Sequence, residues 1–166
     1  MQLHADPRTN STAAEYAAQD ELLAKLEKDV TDIHVAVTRM RGLTKQINDM
    51  VKLVENDNSK SEMVTLSKSL IKKISEWEGK LIQPKSQSYD DVINFVNKLS
   101  ANIIFVHGEV NSNVPYVTAG QKARYEELHA EWLVYQKEME QLMNKDVADF
   151  NALCRTLSIA NVILPE

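Results

Sequence analysis

The sequence predicts an all-α protein: an up-down-up-down four-helix bundle with two long outer helices and two short ones, running on into a two-helix coiled-coil-like stalk. Three observations carry this. Only 4 glycines and 4 prolines occur in 166 residues, too few turn residues for the frequent reversals of a sheet protein. Apolar side chains recur in steps of three and four over long stretches, the spacing that lines one helix face. The prolines, Pro7, Pro84, Pro115 and Pro165, fall outside these stretches, as they must, because proline removes a donor and clashes inside a helix.

The first helix is expected over residues 12–55. Ser11 or Thr12 caps it, and Glu15 stands three places after Thr12, the spacing of a capping box. Its stripe runs Tyr16, Gln19, Leu23, Leu26, Val30, Ile33, Val37, Met40, Thr44, Ile47, Val51 and Val54, with Leu43, Met50 and Leu53 alongside. Gly42 lies within it, where glycine costs about 1 kcal/mol relative to alanine. Ser59 with Glu62 opens a second helix over 60–82, striped by Met63, Leu66, Leu70, Ile74, Trp77 and Leu81. Ser88 with Asp91 opens a third over 89–111, faced by Val92, Val96, Leu99, Ile103 and Val110. Thr118 with Gln121 opens a fourth over 118–157. Its stripe of Tyr125, Leu128, Trp132, Tyr135, Met139 and Leu142 slips by one place to Val147, Phe150, Cys154 and Leu157.

Length sets the expected assembly. The outer helices are each about 60 Å or more and the inner ones roughly 35 Å. With neighbours antiparallel, the short pair covers half of the long pair. The remainder is a stalk joining residues near 16–33 to residues near 142–157. Residues 12–166 form the helical domain and residues 1–11 a linker-like extension. "MQLHADPRTN" lacks the apolar core of a signal peptide and is expected to lead in from something larger.

Composition excludes several function classes. A net charge of -5 offers no electrostatic footprint for nucleic acid. No run of roughly 18 apolar residues is present to form a membrane span. The single Cys154 rules out an internal disulfide framework and a cysteine-rich zinc site.

Residues able to carry chemistry are few. The histidines are His4, His34, His107 and His129. Glu126 and His129 form one E-x-x-H, but a carboxylate-bridged metal bundle needs a second such motif. Thr31 and Ile104 stand where its glutamate would be, so no metal ligand is assigned and His129 is expected at the surface. His107 complements the negative end of the third helix. Cys154 in an apolar stripe reads as a buried thiol. Asp90 and Asp91 suit a helix N-terminus, and adjacent carboxylates on a helix diverge rather than form a glycosidase pair. Trp77, Trp132, Tyr125 and Tyr135 fit a core better than a sugar-stacking platform. Asn10 begins an N-x-S/T tripeptide, Asn10-Ser11-Thr12, which matters only in a secretory pathway that glycosylates. No P-loop, dinucleotide fingerprint or nucleophile elbow is found. No catalytic, cofactor-binding or metal residue is expected.

Three phrases carry a family likeness. "ADPRTNSTAAEYAAQDELLAKL" leading into "IHVAVTRMRGLTKQI", then "LIQPKSQSYDDVINFVNKLSANI", then "DVADFNALCRTLSIANVILP", resemble the C-terminal helical region of bacterial sortilin-like β-propeller proteins described as glycosyl hydrolases. The resemblance covers nearly the whole chain. It implies an extracytoplasmic protein, periplasmic or secreted, with the propeller upstream. The Asp-box repeats of those propellers, S-x-D-x-G-x-T-W, do not occur here, so no catalytic position carries over. Relatives tend to have proline after the Asn94 and Phe95 pair; Val96 follows here, and the kink is expected to be absent. The expected function is a non-catalytic accessory domain: a spacer or docking element for the propeller, or a homodimerisation element through the stalk. The alternative is a carbohydrate-binding or glycoside-hydrolase-associated module using the aromatic residues with Glu126, Glu127 or Glu131. A third reading is an independent cytoplasmic adaptor.

Overall fold

In a computed structural model, residues 10–86, 88, 91–112 and 114–164 are described. Most of the expected extension, residues 1–9, lies outside them, as do Asp90 and the side chain of Val92. The described chain is helical and holds no strand. Helix α1 spans Ala13–Val54, a 3₁₀ turn Asn58–Lys60, α2 Ser61–Leu81, α3 Asp91–Asn94, α4 Leu99–Val110 and α5 Ala119–Gln141. A π-helical turn at Leu142–Val147 joins α5 to α6, Ala148–Thr156, so that the last long element is continuous.

Local chemistry sets most of these ends. Thr12 and Thr118 each accept a hydrogen bond from the backbone N–H three residues on. The side chains of Glu15 and Gln121 in turn accept from the backbone N–H of the cap residue, forming complete capping boxes. The expected Ser59 cap is replaced. Asp57 accepts from both the backbone N–H and the hydroxyl of Ser59, at 2.9 and 2.7 Å, and starts the 3₁₀ turn that feeds α2. Helix α1 runs unbroken through Gly42, consistent with a stripe that never loses its period.

The third expected helix is two. After α3 the backbone leaves the helix at Phe95–Lys98 and re-enters at Leu99. A break therefore exists around Val96, against the expectation of an uninterrupted helix over 89–111. Asn94 and Asn97 are weak helix formers, and Val96 is 78% exposed rather than on the core face, so no buried apolar contact holds this turn in line.

The break changes the architecture from the one expected. Arg41 of α1 pairs with Glu78 of α2 at 2.7 Å, and His34, seven residues lower on α1, meets Ser100 of α4 at 3.1 Å. Further down, Glu27 meets His107 and Gln19 reaches the carbonyls of Val110 and Ser112. Helices α2 and α4 thus descend α1 one after the other in the same direction. The last long element then runs parallel to α1: Asp29 meets His129, Lys80 pairs with Glu138 at 2.7 Å, Lys73 pairs with Asp146, and Lys60 donates to the carbonyl of Leu157 at 2.8 Å. The result is a long bundle three helices thick whose middle position is filled in series.

Length arithmetic explains this. Helix α2 with 21 residues and α4 with 12 are about 31 and 18 Å long. End to end they match most of α1, whose 42 residues make about 63 Å. No two-helix stalk remains. Residues 142–156 pack beside α2, not beside residues 16–33.

The core follows. On α1 the buried positions step Leu22, Leu26, Asp29, Ile33, Ala36, Met40, Leu43 and Ile47, with Val37 and Gln19 also buried. Leu26, Ile33, Met40 and Ile47 stand in the stripe read from sequence. The column 22, 29, 36 and 43 lies one place before the expected 23, 30, 37 and 44. Both columns are used, because a helix with two partners needs a wide apolar face. Trp77 and Trp132 are 2% and 1% exposed. The indole N–H of Trp77 donates to the carbonyl of Tyr135 at 2.8 Å.

The one-place slip in the last stripe has a physical form. Leu142 and Val147 are both buried, yet five residues in a regular α-helix put side chains about 140° apart. The π-helical turn absorbs the extra residue and returns Val147, Phe150 and Cys154 to the core face.

Candidate functional site

The half of the bundle nearest Ala13 carries a buried carboxylate paired between helices. Asp29 projects from the core column of α1, and its side chain is 4% exposed. His129 stands one turn after Tyr125 on α5 and is 38% exposed. Their separation, imidazole Nδ1 to carboxylate Oδ2, is 2.7 Å. A carboxylate can only accept, so Nδ1–H donates and Nε2 is the outward nitrogen. The Tyr125 ring stacks on the imidazole, with centroids 5.5 Å apart and planes 26° apart. Burial raises the Tyr125 hydroxyl above the ordinary phenol range, and the charge of Asp29 adds to the effect.

Beside this cluster lies a hollow of about 210 Å³ whose wall includes Tyr125, Lys25, Lys122, Glu21 and Glu126. Its charges balance, two of each sign, and Lys25 is already tied to Glu21 at 2.6 Å. Three further links stitch α1 to α4. Gln19 Nε2 donates to Val110 O at 2.7 Å and Ser112 O at 3.0 Å, satisfying carbonyls at the end of α4. The imidazole of His107 donates to Glu27 at 3.1 Å, and His34 Nε2 is hydrogen-bonded to the Ser100 hydroxyl at 3.1 Å.

The arrangement limits the chemistry. An imidazole oriented by a buried carboxylate is two-thirds of a hydrolytic triad. Completing it needs a nucleophile within hydrogen-bond reach of Nε2. Cys154 lies 25 residues further along the same element, roughly 35 Å away. It is fully buried, and burial pushes its thiol pKa up, away from the thiolate.

The candidate residues can now be placed, apart from His4 and Asp90, which lie outside the described residues. His129 is not a plain surface histidine but half of an interhelical pair, and Glu126 lies on the rim of the hollow rather than beside a metal position. Among the described residues no group of three or more His, Cys, Asp or Glu converges as a metal shell. His107 does lie in the last turn of α4, with Glu27 as partner. Asp91 opens α3 and its carboxylate accepts from the backbone N–H of Ser88 at 2.8 Å. Trp77 and Trp132 face the core, so neither can stack on a sugar. Tyr135 donates its hydroxyl to Glu131 at 2.8 Å and is pushed up to about 12 by burial and by that carboxylate. Sequence reasoning missed Asp29. The available signal was a lone carboxylate in a column otherwise filled by Leu22, Ala36 and Leu43.

Comparison with known proteins brings no relative: no family model, no curated protein and no solved structure matches the chain. No helix among the described residues is long and apolar enough to cross a membrane.

Proposed function

We propose that the chain is a non-catalytic helical accessory domain of a larger secreted protein, a spacer and docking element for an upstream β-propeller. The observation that carries this reading is how the Asp29 carboxylate is used. Asp29, the one buried acid among the described residues, spends its hydrogen bond holding α5 to α1. Among the described residues every buried side-chain nitrogen or oxygen has a partner. Polar groups poised for a substrate tend to leave donors or acceptors open toward a pocket, and here they are consumed between helices. Helices of about 60 Å suit a rigid spacer, since length is fixed by rise per residue and not by flexible linkers. The propeller and the extracytoplasmic location rest on the three phrases that resemble the propeller-linked helical region.

The alternative, a carbohydrate-binding or hydrolase-associated module, loses its two indoles to the core. Of its aromatic residues only Tyr125 and Tyr135 keep part of their surface.

The test begins with the natural coding frame ahead of Met1. If it encodes a propeller, that propeller is expressed alone and titrated with this chain by calorimetry. Saturable 1:1 binding is expected. A frame without a propeller, or a propeller that gives no heat with a folded chain, overturns the proposal.

A further inference from the structure

Beyond its last helix the chain folds back as an extended strap, residues 159–164, lying between α1 and α6. Two side-chain amides grip its backbone. Gln46 of α1 accepts from Ile163 N–H and donates to Ile163 C=O, both at 2.9 Å. Asn151 of α6 accepts from Val162 N–H at 2.9 Å and donates to Val162 C=O at 3.1 Å. Val162 is 4% exposed, whereas Ile163 is 74% exposed. The groove therefore reads an extended backbone through four hydrogen bonds and one apolar side chain through a pocket, a mode of recognition that does not depend on covalent continuity.

The link between helix and strap is short and strained. Ser158 has φ 58, the one non-glycine positive φ among the described residues, and L-residues other than Asn and Asp rarely adopt it. Ser158 N–H bonds to Arg155 O at 3.1 Å and Ile159 N–H to Cys154 O at 2.8 Å, the paired bonds of a helix end reversed through a left-handed residue. If residues 157–159 straighten, the strain is relieved and the strap, about 20 Å long when extended, projects past the end of α6.

We infer that this groove is an exchange site, in which the strap of a second copy of this chain docks on Gln46 and Asn151 of the first, reciprocally, giving a two-fold dimer at the α6 end. The occupant is fixed by what the groove is seen to hold: a second copy carries the identical segment and recovers the same four hydrogen bonds and the same Val162 contact. Exchange keeps those contacts and removes the strain at both hinges, the circumstance in which short strained connections favour swapping. This inference is independent of any propeller, because it concerns only copies of this chain.

Complementation between two full-length variants tests it. Val162→Asp leaves the groove intact and its own strap unable to dock. The double variant Gln46→Ala with Asn151→Ala leaves the strap intact and the groove disabled. Each alone is expected to be monomeric by light scattering at concentrations where an equimolar mixture forms a 1:1 complex. If Val162→Asp does not fold by circular dichroism, Ile163→Pro, which lacks the N–H that Gln46 accepts, takes its place. For the wild-type chain, a concentration-dependent dimer is expected, and Ser158→Gly is expected to weaken it about 30-fold, roughly fivefold per relaxed hinge. A mixture of folded variants that stays monomeric overturns the inference. So does a wild-type chain monomeric at all concentrations, a dimer indifferent to Ser158→Gly, or a dimer that persists when every copy carries Val162→Asp.

Discussion

Removing one partner of the Asp29–His129 pair should be far more damaging than removing both. His129→Ala leaves a carboxylate that is 4% exposed without its 2.7 Å partner. Breaking a fully buried ion pair in this way costs about 3–5 kcal/mol. His129 is 38% exposed, so water can enter the gap it leaves, and the expected loss falls to about 2–3 kcal/mol, near the worth of a hydrogen bond to a charged group. Asp29→Leu with His129→Leu instead continues the column of Leu22 and Leu43 and should lie within about 1 kcal/mol of wild type, because apolar replacement of a whole buried pair is often neutral or better. Urea unfolding followed by helical circular dichroism measures both, and the single variants Asp29→Leu and His129→Leu complete the double-mutant cycle. The coupling between the sites is expected to be about 1.5–2.5 kcal/mol. A His129→Ala loss below roughly 0.5 kcal/mol, or strict additivity in the cycle, would refute the argument that this pair fastens α5 to α1.

Other expectations follow from single sites. Gly42→Ala should stabilise the chain by about 0.5–1 kcal/mol, since an added Cβ meets nothing within 4 Å; thermal melting should move up by about 2–4 °C. Trp132→Ala should cost about 3–5 kcal/mol, as the indole is 1% exposed, and calorimetry against glycans should give no heat with or without it. Tyr135, pushed up to about 12, should remain a phenol in ultraviolet titration after ordinary tyrosines ionise near 10. Because the folded value is the raised one, its contribution is fully present below about pH 10 and fades as pH rises toward 12. Cys154 should resist thiol reagents at pH 8 until the chain is unfolded, its raised value giving the same sign of pH dependence, with stability lost only on the alkaline side.

Helix positions were legible because they depend on neighbours in sequence. Thr12 with Glu15 and Thr118 with Gln121 announce their helices through contacts three residues apart, and the structure places both starts there. The slip between Leu142 and Val147 was visible as a broken period, although the π-helical turn that realises it was not. Helix direction was another matter. Reading 89–111 as one helix made the inner pair equal in length and implied that each turned back on the last. Once Phe95–Lys98 leaves the helix, the shorter α4 fits beneath α2, and the whole arrangement follows from where the long helices still lack cover. Four residues, none of them fully buried, thus decide the topology.

The two halves of the bundle are closed by different means, and this explains why the site escaped a reading by hydrophobic period. Below the break, α1 is fixed by polar side chains: Gln19, a polar member of the stripe, on two carbonyls, and three that a period search discards, Glu27 on His107, Asp29 on His129 and His34 on Ser100. Such bonds are directional and satisfied only at one register, so they set the height at which α4 and α5 meet α1, while apolar contact alone tolerates sliding. Above the break the interior is Met63, Leu70, Ile74, Trp77, Phe150 and Cys154, and the register is set from outside, by the pairs Arg41–Glu78, Lys80–Glu138 and Lys73–Asp146 and by Gln46 and Asn151 on the strap. Gln46 and Ile163 are 117 positions apart, and an amide on a helix flank has no local feature that marks it as a clamp. The polar residues that look unremarkable in sequence are therefore those that choose one alignment among the many that the apolar stripes would permit.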